Sequence, residues 1–210
     1  MTGRTWNVPL AWGAVLAVMI VPVVLAAFNP WLAYRNAAYI VGGFAGILCL
    51  SLMLLQPLLA AGYLPGLSPV AATRWHRRIG TLLVAFVAVH VGGLYLTSPM
   101  DTVDVLLLRA PTPFSVHGFL AMWGIVITAL LVVLRRRLGL PPGLWRWLHN
   151  ALALGVVVTT CIHAARIEGA MGAASKAVLL AAVLMATLAA LLDLRLLRPI
   201  VLKRRARQGF

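Results

Sequence analysis

Residues 76–90 read HRRIGTLLVAFVAVH and residues 149–163 read HNALALGVVVTTCIH, two fifteen-residue stretches each bounded by histidine. In a helix that turns about 100° per residue, fourteen steps fall about 40° short of four full turns, so both histidines of a stretch share one face. The rise between them is about 21 Å, most of the thickness of a bilayer's hydrocarbon core. Leucine, valine, alanine and phenylalanine dominate the first interval, and between His149 and His163 there is no charged residue. Each stretch therefore predicts an apolar helix carrying two imidazoles on the same side, at different depths.

Outward from these stretches the same character holds. The chain has 210 residues, 62% hydrophobic and 10% charged, far more apolar than a water-soluble core of this size needs. About 20 apolar residues cross about 30 Å of hydrocarbon, and six runs satisfy that length: Val8 to Phe28, Ala37 to Tyr63, Ile79 to Thr97, Phe114 to Leu134, Leu148 to Ala165 and Ala173 to Leu194. Pro30, Pro65, Pro99, Pro111, Pro113, Pro141 and Pro142 lie in or near the connections, where a missing amide donor costs little. The expectation is an all-α polytopic membrane protein, a six-helix bundle forming one domain over residues 1–210. The first run is longer than the apolar core of a usual secretion signal, so it is read as a retained helix. Cys49 and Cys161 lie in different apolar runs with no metal-binding spacing and are read as buried small hydrophobes.

A formal charge of +14 would suit nucleic acid, but the basic residues fall in short clusters between apolar runs and form no soluble basic face. Nucleic-acid binding is excluded on that pattern. Arg4, Arg74, Arg77, Arg78, Arg135, Arg136, Arg137, Arg146, Arg195, Arg198, Lys203, Arg204, Arg205 and Arg207 belong to one side of the membrane, and only Arg35, Arg109, Arg166 and Lys176 to the other. Positive charge is retained on the cytoplasmic side, which puts both termini there, in a bacterial inner membrane. The basic tail, residues 197–210, is expected to rest on anionic lipid headgroups.

With this topology the third and fifth helices run in the same direction. His76 then matches His149 in depth near the cytoplasmic boundary, and His90 matches His163 toward the outer one. A lone boundary histidine is ordinarily an interfacial residue, whereas two equal spacings on two co-oriented helices predict two facing pairs. Imidazole is a standard axial ligand of haem iron, and an iron held by two of them has no open position for substrate and passes electrons. Stacked pairs would form a wire across the membrane.

The pieces WHRRIG at Trp75 to Gly80, AVH at Ala88 to His90, WRWLHN at Trp145 to Asn150 and CIH at Cys161 to His163 resemble the ferric reductase-like transmembrane domain. That family includes the NADPH oxidases, the eukaryotic ferric reductases and the haem subunit of bacterial methionine sulfoxide reductase. The resemblance runs from Arg74 to Arg166, within a core of about residues 37–167. It implies a six-helix bundle with two stacked b haems, His76 and His149 on the inner one and His90 and His163 on the outer, carrying electrons outward. Unlike the oxidases, this chain shows no flavin or nicotinamide domain after Leu194, and no G-x-G-x-x-G. The expected role is the haem-bearing membrane component of an oxidoreductase, served by a separate flavoprotein reductase or by quinol and handing electrons to an outer acceptor, a periplasmic protein or a metal ion. Alternatives are the quinol-linked haem subunit of a periplasmic reductase, and a colourless transporter using its histidines for protons.

Supporting residues follow from the same frame. Arg166, three residues past His163 on the side poor in positive charge, is the first candidate to grip a haem propionate, ahead of Arg77, Arg78 and Arg146. His117, at the outer end of the fourth helix, is either an interfacial histidine or a group that bonds the haem edge, binds the acceptor or supplies protons. Trp123 is expected in the core, or else between haem edges, and Trp75, Trp145 and Trp147 in the interfacial belt. Gly80, Gly92, Gly93 and Gly155 allow close approach of a porphyrin or a neighbouring backbone.

Overall fold

The computed structural model describes residues 7–207; the side chains of Asn7 and of residues 203–207 are not described. Arg4 and residues 208–210 of the basic tail lie outside that range. The described residues fold as helices and short connections without a strand. The helices are α1 (Asn7–Ala27), α2 (Ala37–Met53), α3 (Leu55–Ala61), α4 (Pro69–Thr97), α5 (Pro99–Leu106), α6 (Pro113–Leu134), α7 (Pro142–Arg166), α8 (Ala173–Leu192) and α9 (Arg198–Arg207). Six spans are long and apolar enough to cross a membrane: α1, α2 with α3, α4, α6, α7, and α8 continued into α9.

The spans follow one another around the bundle in chain order, and α8 closes the ring against α1. The tightest packing is pairwise, α2 on α4 and α6 on α7, while α4 and α7 share little direct backbone packing. One core joins Met19, Leu50, Met53, Val156, Val157, Leu179 and Val183, and a second joins Cys49, Leu59, Leu64, Ile79 and Leu83. The perimeter carries exposed apolar side chains such as Leu10, Ile127, Leu130 and Val133, as a surface against lipid requires.

Three boundaries differ from the sequence expectation. Helix α4 begins at Pro69, ten residues before Ile79, because Ser68 caps it by accepting from the Ala71 amide at 3.2 Å and Pro69 suits the first turn. The arginines that end the hydropathy run do not end the helix, so His76 sits about two turns inside it. By the same logic α7 starts at Pro142, and the sixth span runs past Leu194 through a π-helical turn at Asp193–Leu197 into α9. The second run is broken at Leu54, and α3 ends on Gly62 in the left-handed conformation at φ 68°. Helix α5 and a 3-10 turn at Pro30–Tyr34 occupy segments expected to be plain connections.

Side-chain to backbone bonds hold the connections. Trp12 Nε1 donates to the Pro65 carbonyl at 3.0 Å, and Asn29 Nδ2 to Ala170 at 2.9 Å. Lys176 Nζ donates to Ile167 at 2.7 Å, satisfying a carbonyl just past the end of α7.

Candidate functional site

Helices α4 and α7 present their histidines to one another across the bundle. The rings of His76 and His149 lie 6.2 Å apart between centroids, with planes at 68°. Those of His90 and His163 lie 6.5 Å apart, with planes at 79°. Both pairs thus join the helices expected from the fourteen-residue spacing, at two levels along the bundle.

Main-chain acceptors on neighbouring helices orient the rings. Nδ1 of His90 lies 2.8 Å from the Gly42 carbonyl on α2, and Nδ1 of His163 lies 2.9 Å from the Phe114 carbonyl on α6. His76 Nδ1 reaches the Gln56 carbonyl on α3 at 3.2 Å, and the Gln56 side-chain amide returns a bond to the His76 carbonyl at 3.3 Å. A carbonyl can only accept, so the proton sits on Nδ1 and the lone pair of Nε2 is free to bind a metal. His149 differs, since its buried Nδ1 has no hydrogen-bond partner among the described residues. The Trp145 ring, one turn earlier on α7, lies 4.6 Å from it edge-on.

The geometry fits a metal placed between the two imidazoles. An imidazole nitrogen binds a first-row metal at about 2.0–2.1 Å and lies a little over 1 Å from its ring centre, so two imidazoles trans across one metal have centroids about 6.3 Å apart. The observed 6.2 and 6.5 Å bracket that value. Among the described residues no group of three or more His, Cys, Asp or Glu side chains converges. Two nitrogens per level would suit a metal whose other ligands belong to a macrocycle, as in haem.

Of the remaining candidates, Arg166 is the last residue of α7 and is exposed. His117, half-buried on α6, turns Nδ1 to the Pro113 carbonyl at 3.0 Å and is the residue before Gly118, which underlies the His163 ring. Trp123 is not in the core: it is 44% exposed and packs on Phe119, one turn earlier on the same helix. Trp75 and Trp147 are exposed, but Trp145 belongs to the His149 site rather than to a belt alone. Gly93 makes the expected close backbone approach, to Ala38 and Gly42, while a side-chain carbon at Gly92 or Gly155 would meet nothing within 4 Å. Gly42, Gly46, Gly118 and Gly124, which no sequence motif marks, admit the partner helix or its histidine. Arg195, read from sequence only as a topology charge, donates from its guanidinium to the Arg146 carbonyl at 3.1 Å beside the His149 turn.

Fold and site together define a six-span membrane protein with two imidazole pairs stacked between two of its helices. The chain belongs to the family described as the ferric reductase-like transmembrane component, whose model matches residues 43–160, more than half of its length. Such domains generally bind haem, and the family makes this chain a membrane electron-transfer component. No curated protein and no solved structure matches it.

Proposed function

We propose that His76 and His149 hold one b-type haem, that His90 and His163 hold a second, and that the chain carries electrons from the arginine-rich, cytoplasmic side of a bacterial inner membrane to its outer side. The observation that carries this is the pair of centroid distances, 6.2 and 6.5 Å, each matched to a metal between two imidazoles. Held by both imidazoles of a pair, a haem would supply reversible one-electron transfer.

The chain's own residues bind and orient. Backbone carbonyls of Gln56, Gly42 and Phe114 hold the proton on Nδ1 of His76, His90 and His163 and leave the Nε2 lone pair free. Arg166 is the residue we assign to a haem propionate at the outer level, because guanidinium binds a carboxylate through paired hydrogen bonds. In this reading the chain is the haem-bearing part of an oxidoreductase. Its donor is a separate flavoprotein reductase or membrane quinol, and its acceptor an outer protein or metal ion.

Pyridine haemochrome analysis of the purified protein tests this. About two haems per chain are expected, with absorption bands that shift on dithionite addition. His163→Ala should lose the outer haem and keep the inner one. A colourless protein, or retention of both haems in that variant, refutes the proposal.

A further inference from the structure

We infer that Gly46 and Gly118 are positioning residues for the outer imidazole pair, and that the outer level is seated in two glycine cradles that the inner level lacks. The inference rests on the two-haem proposal and concerns how its ligands are held.

Both outer histidines are anchored in one way. His90 takes the carbonyl of Gly42 on α2, and His163 takes that of Phe114 on α6. Four residues on from each acceptor stands a glycine, Gly46 and Gly118. In a helix the amide at that position also points at the same carbonyl, which has a second lone pair to offer the imidazole. Side chains on a helix lean toward its N-terminus, so a side chain four residues on lies over the very turn whose carbonyl the ring must reach. Glycine leaves room there for a ring pressed closely onto the turn.

The distances bear this out. A side-chain carbon at Gly46 would stand 2.9 Å from His90 Nδ1 and 3.0 Å from Cε1. At Gly118 it would stand 2.7 Å from His163 Cε1, 2.8 Å from Nδ1 and 3.3 Å from Nε2. The collisions fall on the ring atoms that make the carbonyl bond, so relief requires the ring to leave its acceptor and turn Nε2 off line.

The inner level is built differently. Four residues beyond the acceptor Gln56 stands Ala60, and His76 bonds at the longer distance of 3.2 Å. His149 is flanked by the Trp145 ring and by Arg195 instead of a carbonyl. A side-chain carbon at Gly80, one turn from His76, would meet only Gln56 Nε2, at an ordinary 3.7 Å.

The test compares Gly46→Ala and Gly118→Ala with Gly43→Ala and Gly13→Ala, where a side-chain carbon would meet nothing within 4 Å, by haemochrome count, low-spin electron paramagnetic resonance and potentiometric titration of the full chain. The outer signal is identified as the one lost in His163→Ala. Each cradle variant should lose that signal or shift its midpoint, the count falling from about two haems toward one, while the inner signal stays in place. The two controls should keep both signals. Unchanged outer spectra and potentials in the cradle variants overturn the inference, as does equal loss in Gly43→Ala or Gly13→Ala.

A double-mutant cycle covers poor accumulation of Gly118→Ala. In a His163→Ala background the ring is gone, so adding Gly118→Ala should leave yield and melting temperature unchanged, and a further loss there overturns the inference. A wild-type protein without haem would instead sink the two-haem proposal, while the cycle would still read the contact between Gly118 and His163.

Discussion

Adding a single methyl group at Gly93 should drive α2 and α4 apart, and its neighbour Gly92 provides the control. The new carbon would lie 2.7 Å from the Ala38 carbonyl oxygen, 2.8 Å from Gly42 Cα and 3.0 Å from Gly42 N. All three atoms are backbone, so no side chain can swing away. Reaching ordinary contact requires α4 to back off by roughly 0.5–0.7 Å, because repulsion is steep below the van der Waals minimum. His90, three residues earlier on α4, moves with it, and its 2.8 Å bond to Gly42 lengthens to the edge of hydrogen-bonding range. Overpacking costs about 1–3 kcal/mol and the weakened bond up to about 1 kcal/mol, against a gain of about 0.5–1 kcal/mol from replacing glycine in a helix. The net loss centres on about 2 kcal/mol, which corresponds to a melting temperature lower by about 4–8 °C for a chain of this size. At Gly92 a side-chain carbon meets nothing within 4 Å, so Gly92→Ala should match or slightly exceed the wild type. Thermal unfolding in detergent, followed by circular dichroism, reads both variants. Equal responses at the two positions, or a more stable Gly93→Ala, would refute the crossing as described.

Two other perturbations probe the two ends of the bundle. Arg195→Ala removes a cation beside the His149 turn, so the midpoint of the inner haem should fall while the outer one stays; a shift confined to the outer signal would contradict this placement. Asn29→Ala removes both the 2.9 Å bond from the Trp31 amide and the 2.9 Å bond to Ala170, costing about 1–2 kcal/mol. Asn29→Ser keeps an oxygen able to accept from the Trp31 amide and sets no second acceptor against the Ala170 carbonyl, so it should recover part of the lost melting temperature, whereas identical melting of the two variants would argue against the cap.

Much of the fold was legible because burial in lipid leaves a strong record in composition. The six apolar runs and the two fourteen-residue histidine spacings are properties of single helices, and a helix repeat can be computed from one strand of letters. Helix length was less legible, since Arg74, Arg77 and Arg78 end a hydropathy run without ending the backbone hydrogen bonding that Ser68 starts. The amphipathic α5 was hidden for a related reason: it is too short and too polar to register as a span. What could not be read was anything belonging to two helices at once. Gly46 looks like Gly43 in sequence, and only the crossing of α2 with α4 puts one under an imidazole and the other in open space. The acceptors for His76, His90 and His163 are main-chain carbonyls, which every residue has and which no letter marks. Trp145 was assigned to the interface because tryptophan favours that depth, and its contact with His149 depends on the helix starting earlier than the apolar run does.

Those main-chain acceptors carry an evolutionary consequence. A side-chain acceptor can be erased by one substitution, whereas the carbonyls of Gln56, Gly42 and Phe114 persist whatever residue stands there. Drift at Gln56 and Phe114, though not at Gly42, where a side-chain carbon would meet Gly93 Cα at 3.2 Å, can therefore alter bulk and polarity around two of the four imidazoles while leaving their tautomers as they are. The sites are thus free to diversify in electrical tuning, through neighbouring charges and exposure to water, without having to reinvent how the rings are aimed.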